Sequence, residues 1–172
     1  AVSNTYTLSA SYGAHVVAPG TGVLLNNSLG NLAWGATGED RRATQPVPGK
    51  RVGSTITPLI VFRGDKPWIV TGTPGGGYII ATMVQLLSNV IDFDLNIAEA
   101  AQRPRINQGW AGSALELEDG FSPDIIPLLE KRGHKVKSSM TMGSTQSIMI
   151  DGNRFMGAAD TRRPDALAQG VR

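Results

Sequence analysis

The sequence predicts an α+β domain with strands and helices in separate layers. Three observations carry this. Runs of branched and aromatic residues broken by glycine turns come early and late in the chain. Helical apolar spacing fills the middle. The order is therefore strands, helices, then strands, where an α/β fold would alternate them. With 172 residues, 41% of them hydrophobic, the chain can bury a core of its own, and a single domain over 1–172 is expected.

The elements follow in order. Residues 2–8, Val-Ser-Asn-Thr-Tyr-Thr-Leu, read as a strand. Thr5, Thr7 and Ser9 then alternate on one face, as a solvated edge or as hydroxyls aimed at a site. Residues 16–27 hold a short strand, a Pro19-Gly20 turn and the run Val23-Leu24-Leu25. Residues 30–53 form a long polar connection of the kind that is functional or mobile. Thr57 to Phe62 is a strand, turned at Gly64-Asp65 into a partner at Trp68 to Thr71.

Ile79, Ile80, Met83, Val84 and Leu87 then mark a helix running to about Val90. Asn96 caps a short helix, Ile97 to Gln102, which Pro104 stops. Ala114 to Glu118 alternates as a half-buried strand. Ser122-Pro123-Asp124 starts a helix with Ser at the N-cap and Pro at the first turn, and Gly133 ends it. Ser147–Ile150 and Arg154–Ala158 make a final hairpin around Asp151-Gly152-Asn153.

Two glycine turns stand out: Thr73-Pro74-Gly75-Gly76-Gly77 and Gly143-Ser144-Thr145-Gln146. The first lies between a strand and a helix. Consecutive glycines there let main-chain N–H groups approach a ligand with no side chain in the way. Such groups can hold a phosphate, a carboxylate or the oxyanion of acyl transfer. A tight turn for close helix packing is the plainer reading. No Lys-Ser or Lys-Thr follows, so it is not a P-loop. The spacing and acidic residue of a dinucleotide fingerprint are also missing.

Other features exclude more than they assign. Lys plus Arg is 16 and Asp plus Glu is 14, with no basic stripe of interleaved aromatics, so nucleic acid is not an expected partner. No apolar run has the roughly 18 residues of a membrane span. The absence of cysteine removes disulfides, thiolate metal sites and Cys nucleophiles. His15 and His134 have no metal-ligand partner at a suitable spacing, so no metal or cofactor is expected. No Ser-His-Asp set can be nominated. Asn26-Asn27 reads as a turn. Lys50-Arg51 before Ser54-Thr55 reads as an anion contact or a solvated loop. Trp34, Trp68, Trp110 and the methionines read as packing, and Asp160 to Pro164 as a polar turn.

Seven segments in order resemble one family: Asn4–Leu8, Gly22–Asn27, Thr73–Gly76, Arg103–Arg105, Gly120–Pro123, Gly143–Ile148 and Gly157–Asp160. Together they are similar to the small, C-terminal subunit of the γ-glutamyltransferases (γ-glutamyltranspeptidases). The resemblance covers essentially the whole chain. It implies the αββα sandwich of N-terminal nucleophile hydrolases, made from a precursor that cuts itself into two chains. It implies a Thr nucleophile at the new N-terminus whose own α-amine is the base. An α-amine titrates near 8 and can take the hydroxyl proton with no histidine. That Thr is expected ahead of Ala1, so the chain by itself is expected to be inactive, with the large subunit as its partner. Export to the periplasm or beyond is the family habit.

The resemblance also implies roles. Thr7 matches a Thr that orients the nucleophile, and Gly75 and Gly76 match the glycines whose N–H groups form the oxyanion hole. Ser54 and Thr55 match a Ser pair that holds the donor's α-carboxylate. Three positions depart from the pattern. Ser9 replaces an Asn near the nucleophile, Asn31 replaces an Asp that pairs with the donor's α-ammonium, and Ser28 replaces an acidic or amide residue. An amide forfeits charge attraction, and charge-assisted bonds are about twice as strong. The 31–53 segment also looks shorter than forms that carry a lid. The expected reaction is cleavage of γ-glutamyl amides such as glutathione, followed by hydrolysis or transfer. A glutaryl (cephalosporin) acylase or small-amide hydrolase of the same family is the alternative. A non-catalytic domain that has lost its nucleophile is the second.

Overall fold

The computed structural model describes residues 1–33 and 45–170. The chain gathers into two compact units, one of Ala1–Thr5 with Ile56–Arg172 and one of Tyr6–Thr55. Trp34 and residues 35–44 of the polar connection, including part of the shortened segment, lie outside the described residues.

The larger unit is built on a four-stranded antiparallel sheet. Its strands are β1 (Leu59–Arg63), β2 (Lys66–Gly72), β6 (Gln146–Asp151) and β7 (Arg154–Ala159), in the order β1-β2-β6-β7. The hairpins turn where glycine and asparagine sit. Arg63 pairs with Lys66 across Gly64-Asp65, and Asp151 pairs with Arg154 across Gly152-Asn153. Gly64 and Gly152 have φ of 61° and 56°, the left-handed values such two-residue turns need.

Two helices cover one face of this sheet: α1 (Ile79–Ile91) and α2 (Ile97–Gln102). Ile79, Met83, Leu86 and Val90 recur at helical spacing and are all buried. They meet Ile69, Met149 and Ala158 of the sheet and Ile97, Ala100 and Ala101 of α2 in one apolar core. Asn96 caps α2 through its side chain, which accepts the Glu99 N–H at 2.9 Å. On the same sheet face Thr71 and Ser147, partners across β2 and β6, share a buried hydroxyl hydrogen bond of 2.7 Å. The opposite face carries Ile60, Val70, Ile148 and Gly157 in register. Ile148 there is 43% exposed, and Phe155, two positions along, is 74% exposed.

A smaller sheet joins β3 (Ile106–Asn107), β4 (Leu115–Leu117) and β5 (Val136–Ser138). β4 and β5 run parallel, which requires a crossover. α3 (Ile125–Lys131) supplies it. One local βαβ unit therefore sits inside the layered fold, and β5 carries no sequence signal strong enough to stand out. Gly133 (φ 91°) closes α3 as expected. The His134 N–H reaches the Leu129 carbonyl and the Gly133 N–H reaches that of Glu130, a two-bond helix stop. The helix begins later than expected, at Ile125. Ser122 instead closes a turn before it, accepting the Asp124 N–H at 3.4 Å.

Two expected strands are corrected. Residues 2–8 pair with no strand among the described residues. Strand propensity reports fit to a pleated surface and does not itself supply a partner. Ser3 still touches β2, donating from Oγ to the Thr71 carbonyl at 2.7 Å. Within the smaller unit the 16–27 strand shrinks to a single bridge between Val17 and Leu24. A 3-10 turn, Ser28–Ala33, follows it.

Met83 is 1% exposed and Val84 beside it is 62% exposed. Met83→Ala is expected to lower unfolding free energy by about 2–5 kcal/mol. Val84→Ala should cost no more than about 0.5 kcal/mol where the helix face stays solvated. Urea denaturation midpoints measure both.

Candidate functional site

The two glycine turns lie against each other in the larger unit. Gly75 takes φ 141°, ψ 2°, and Gly76 and Gly143 take φ of 57° and 71°. Side chains rarely tolerate these values. Space is as restrictive as torsion. A Cβ on Gly143 would sit 2.6 Å from Thr73 Oγ1 and 3.0 Å from the Pro74 carbonyl oxygen. A Cβ on Gly75 would sit 3.2 Å from Gly143 Cα. Thr73 stitches the turns together. Its buried hydroxyl accepts the Ser144 N–H at 2.8 Å and donates to the Pro74 carbonyl at 2.8 Å. Gly75 is half-buried while Gly76 and Gly77 are exposed, so this backbone is presented at the surface on a fixed base.

That base is a buried ionic network. Asp160 has no exposed surface and pairs with Arg105 at 2.6 Å and Arg162 at 3.1 Å. Its carboxylate also accepts the Thr145 N–H at 2.9 Å. Glu118 pairs with Arg162 at 2.6 Å and accepts the main-chain N–H groups of Arg105 and Met142. Arg105 donates to the Met142 and Ala101 carbonyls. Residues 142–145, the stretch of chain beneath the Gly75 turn, are thereby held by two carboxylates and the Arg105 guanidinium. Among the described residues no buried side-chain polar atom lacks a partner. Such full satisfaction is what makes buried charge tolerable.

Burial works against the charged form of Asp160. The Arg162 amide, the Arg105 charge and the Thr145 amide outweigh it and hold the carboxyl below its ordinary value.

The remaining predicted residues lie in the smaller unit. Thr7 is exposed and accepts the Ser9 N–H on Oγ1 at 2.9 Å. Ser9 is left-handed (φ 73°), and its hydroxyl donates to Asn31 Oδ1 at 3.2 Å. Asn31 Nδ2 donates to the Gly53 carbonyl at 3.1 Å. Thr7, Ser9 and Asn31 thus form one hydrogen-bonded chain reaching the residue before Ser54 and Thr55. Ser54 is exposed and Thr55 half-buried. Asn26 accepts the Ser28 N–H on its side chain at 2.9 Å, the turn its sequence suggests. His15 packs its ring near Tyr12 at 6.3 Å. Among the described residues no group of His, Cys, Asp or Glu is arranged to hold a metal, and no helix is long and apolar enough to cross a membrane.

Sequence reading missed Arg105, Glu118, Asp160 and Arg162 as a unit. Arg103–Arg105 and Gly157–Asp160 entered as markers of resemblance, and Asp160 to Pro164 as a polar turn. Asp160 and Arg162 are two residues apart, but the other links, with Arg105 and Glu118, span 13 to 55 positions, which leaves no spacing to recognise.

A family model described as gamma-glutamyltranspeptidase matches residues 1–170. The glutathione hydrolase proenzyme of Escherichia coli (strain K12) is 43% identical over 99% of the chain, which spans 30% of that relative's length. The acylase ACY 1 proenzyme of Pseudomonas sp. (strain V22) is 31% identical over 95% of the chain and 28% of its own length. Among solved structures, the gamma-glutamyltranspeptidase of Pseudomonas nitroreducens complexed with L-DON superposes with a TM-score of 0.86 at 31% identity. That match covers 99% of this chain and 93% of that one.

Two measurements test the network. Gly143→Ala places a Cβ inside Thr73 and Pro74 and is expected to cost about 1–3 kcal/mol. Asp160→Asn leaves Arg105 uncompensated and is expected to cost about 3–5 kcal/mol. The Asp160 carboxyl is lowered in the folded state, so its stabilisation is present above the unfolded carboxyl value of about 3.9 and lost as pH falls further. Acid unfolding below about pH 4 should therefore be shallower in Asp160→Asn than in the parent protein.

Proposed function

The chain belongs to the γ-glutamyltranspeptidase family, and from that membership we propose that it is the small subunit of a two-chain N-terminal nucleophile amidohydrolase. Its donor is a γ-glutamyl or similar acyl amide, such as glutathione. The observation that carries this reading is the Gly75–Gly76 turn, whose backbone torsions exclude side chains and which rests on a buried, fully bonded base.

The chemistry follows from those parts. A Thr on the segment preceding this chain attacks the donor carbonyl, and its hydroxyl proton passes to its own α-amine. Negative charge develops on the carbonyl oxygen, where the Gly75 and Gly76 amides stabilise it. The intermediate collapses, the C–N bond breaks, and the leaving amine takes the proton from the α-ammonium. Water or an acceptor amine then attacks the remaining ester and releases the acyl group. Thr7 orients the nucleophile. Ser54 and Thr55 hold the donor carboxylate.

Two observations support a large subunit from the same precursor as the partner. The chain spans 30% of the Escherichia coli proenzyme. The sheet face opposite α1 leaves Ile148 and Phe155 exposed, as the inner face of an αββα sandwich would be before a second sheet covers it. Action outside the cytoplasm goes with this reading.

One observation favours a second donor. Ser9 and Asn31 satisfy each other with neutral groups, where an α-ammonium calls for a carboxylate. A glutaryl donor, which lacks that ammonium, fits such a pair, and the acylase relative is consistent with it.

The precursor containing this chain, matured to two chains, tests both. γ-Glutamyl and glutaryl p-nitroanilides should be hydrolysed, and Gly75→Ala should lower kcat by about 10²-fold or more. Asn31→Asp should raise the glutamyl-to-glutaryl ratio of kcat/KM by about tenfold. Activity at the parent level in Gly75→Ala would contradict the role of the turn, and an unchanged ratio would contradict that of Asn31.

A further inference from the structure

We propose that Thr73 is a positioning residue for the Gly75 N–H, aiming it through the peptide bond that joins Pro74 to Gly75. The proposal rests on the reading of the Gly75–Gly76 turn as the oxyanion site. Amides that stabilise charge must be aimed beforehand. Glycine at 75 leaves the peptide plane before it free to rotate, because both signs of φ are open to that residue. One orientation of the plane has to be selected, and the Thr73 hydroxyl selects it.

The Pro74–Gly75 peptide is trans and planar, so the Pro74 C=O and the Gly75 N–H are rigidly linked and point in opposite directions. Holding the carbonyl therefore aims the amide. Thr73 Oγ1 lies 2.8 Å from the Pro74 carbonyl oxygen and 2.8 Å from the Ser144 nitrogen. The carbonyl can only accept and the Ser144 N–H can only donate, so the hydroxyl proton has one assigned direction, toward Pro74. The hydroxyl is itself fixed. Thr73 is 3% exposed and Ser144 has no exposed surface. Ser144 belongs to the loop that Asp160 holds through the Thr145 N–H at 2.9 Å and Glu118 holds through the Met142 N–H. Gly143 keeps the space clear, since a Cβ there would fall 2.6 Å from Thr73 Oγ1. Orientation thus passes from the ionic base to the Ser144 amide, then the Thr73 hydroxyl, the Pro74 carbonyl and the Gly75 N–H. The next peptide is pinned in the same manner by main chain alone, the Tyr78 N–H donating to the Gly75 carbonyl at 3.1 Å.

The test uses the precursor containing this chain, taken through the proposed maturation. Thr73→Val keeps nearly the same shape without the hydroxyl, Thr73→Ala leaves more room, and Thr73→Ser retains both bonds. The first two should lower kcat on the better p-nitroanilide donor by about tenfold or more while KM stays within about twofold. Thr73→Ser should keep kcat within about threefold of the parent. An aldehyde matching that donor, whose carbonyl oxygen becomes an oxyanion on attack, should inhibit the first two variants about tenfold more weakly, while inhibition by the free acid product stays within about twofold. A merely structural defect would weaken both inhibitors together. Parent kcat in Thr73→Val, equal weakening of aldehyde and acid, or Thr73→Ser as slow as Thr73→Val would overturn the assignment. Should neither Thr73→Val nor Thr73→Ala mature, a crystal structure of the parent decides: Thr73 Oγ1 within about 3.2 Å of the Pro74 carbonyl oxygen supports the assignment, and a rotamer that turns it away overturns it. A parent protein inactive on both donors would instead overturn the functional reading, and the same crystal structure would then decide the orientation of the peptide alone.

Discussion

A carboxylate with no contact with water determines where the candidate site lies. Asp160 directly follows β7 and binds Arg105, Arg162 and the Thr145 amide together. Glu118 does the same from the end of β4 for Arg162 and the Met142 and Arg105 amides. Neither charge could stay buried without those partners, since the desolvation cost of an unpaired ion is several kcal/mol. In the network so satisfied, the 142–145 loop passes beneath the Thr73–Gly77 turn. Gly143 is the point of contact, and only a residue without Cβ fits there.

The same economy shows in the division of labour between sheets. The larger sheet and α1 form the apolar core and fix both ends of the glycine turn, β2 before it and α1 after it. The smaller sheet contributes little to that core. Its role is polar: Glu118, just past β4, joins the buried network, and Glu116 within β4 pairs with Lys137 and Asn107 of the neighbouring strands. Alternation along a three-residue strand places these two carboxylates on one face, two residues apart. Glu118 reaches the loop below the turn through the Met142 amide.

How much of this was legible beforehand depended on range. Features decided within a few residues were readable: the Gly64-Asp65 and Gly152-Asn153 hairpins, the Asn96 cap and the Gly133 stop each follow from one residue's torsions or side chain. The existence of α1 followed from spacing, but of the positions that marked it Ile80 and Val84 are exposed, while Leu86 is buried. The strand expected at 2–8 found no partner among the described residues, because propensity is local while pairing is decided by distant segments. The contact between the two glycine turns, 68 residues apart from Gly75 to Gly143, could be suspected only because both were unusual. The ionic base could not be seen at all, because an isolated Asp or Arg in sequence looks the same whether it faces solvent or another charge. The hydrogen bond of Ser9 with Asn31 was foreshadowed only as two positions that departed from the family together.

The most direct measurement is a crystal structure of the precursor containing this chain, taken through the proposed maturation and carrying a covalent electrophile that mimics the tetrahedral intermediate. The account predicts its oxyanion within about 2.7–3.1 Å of the Gly75 and Gly76 main-chain nitrogens, with Gly143 still seated against the turn. An adduct whose oxygen points to other donors, with that turn directed elsewhere, would contradict it.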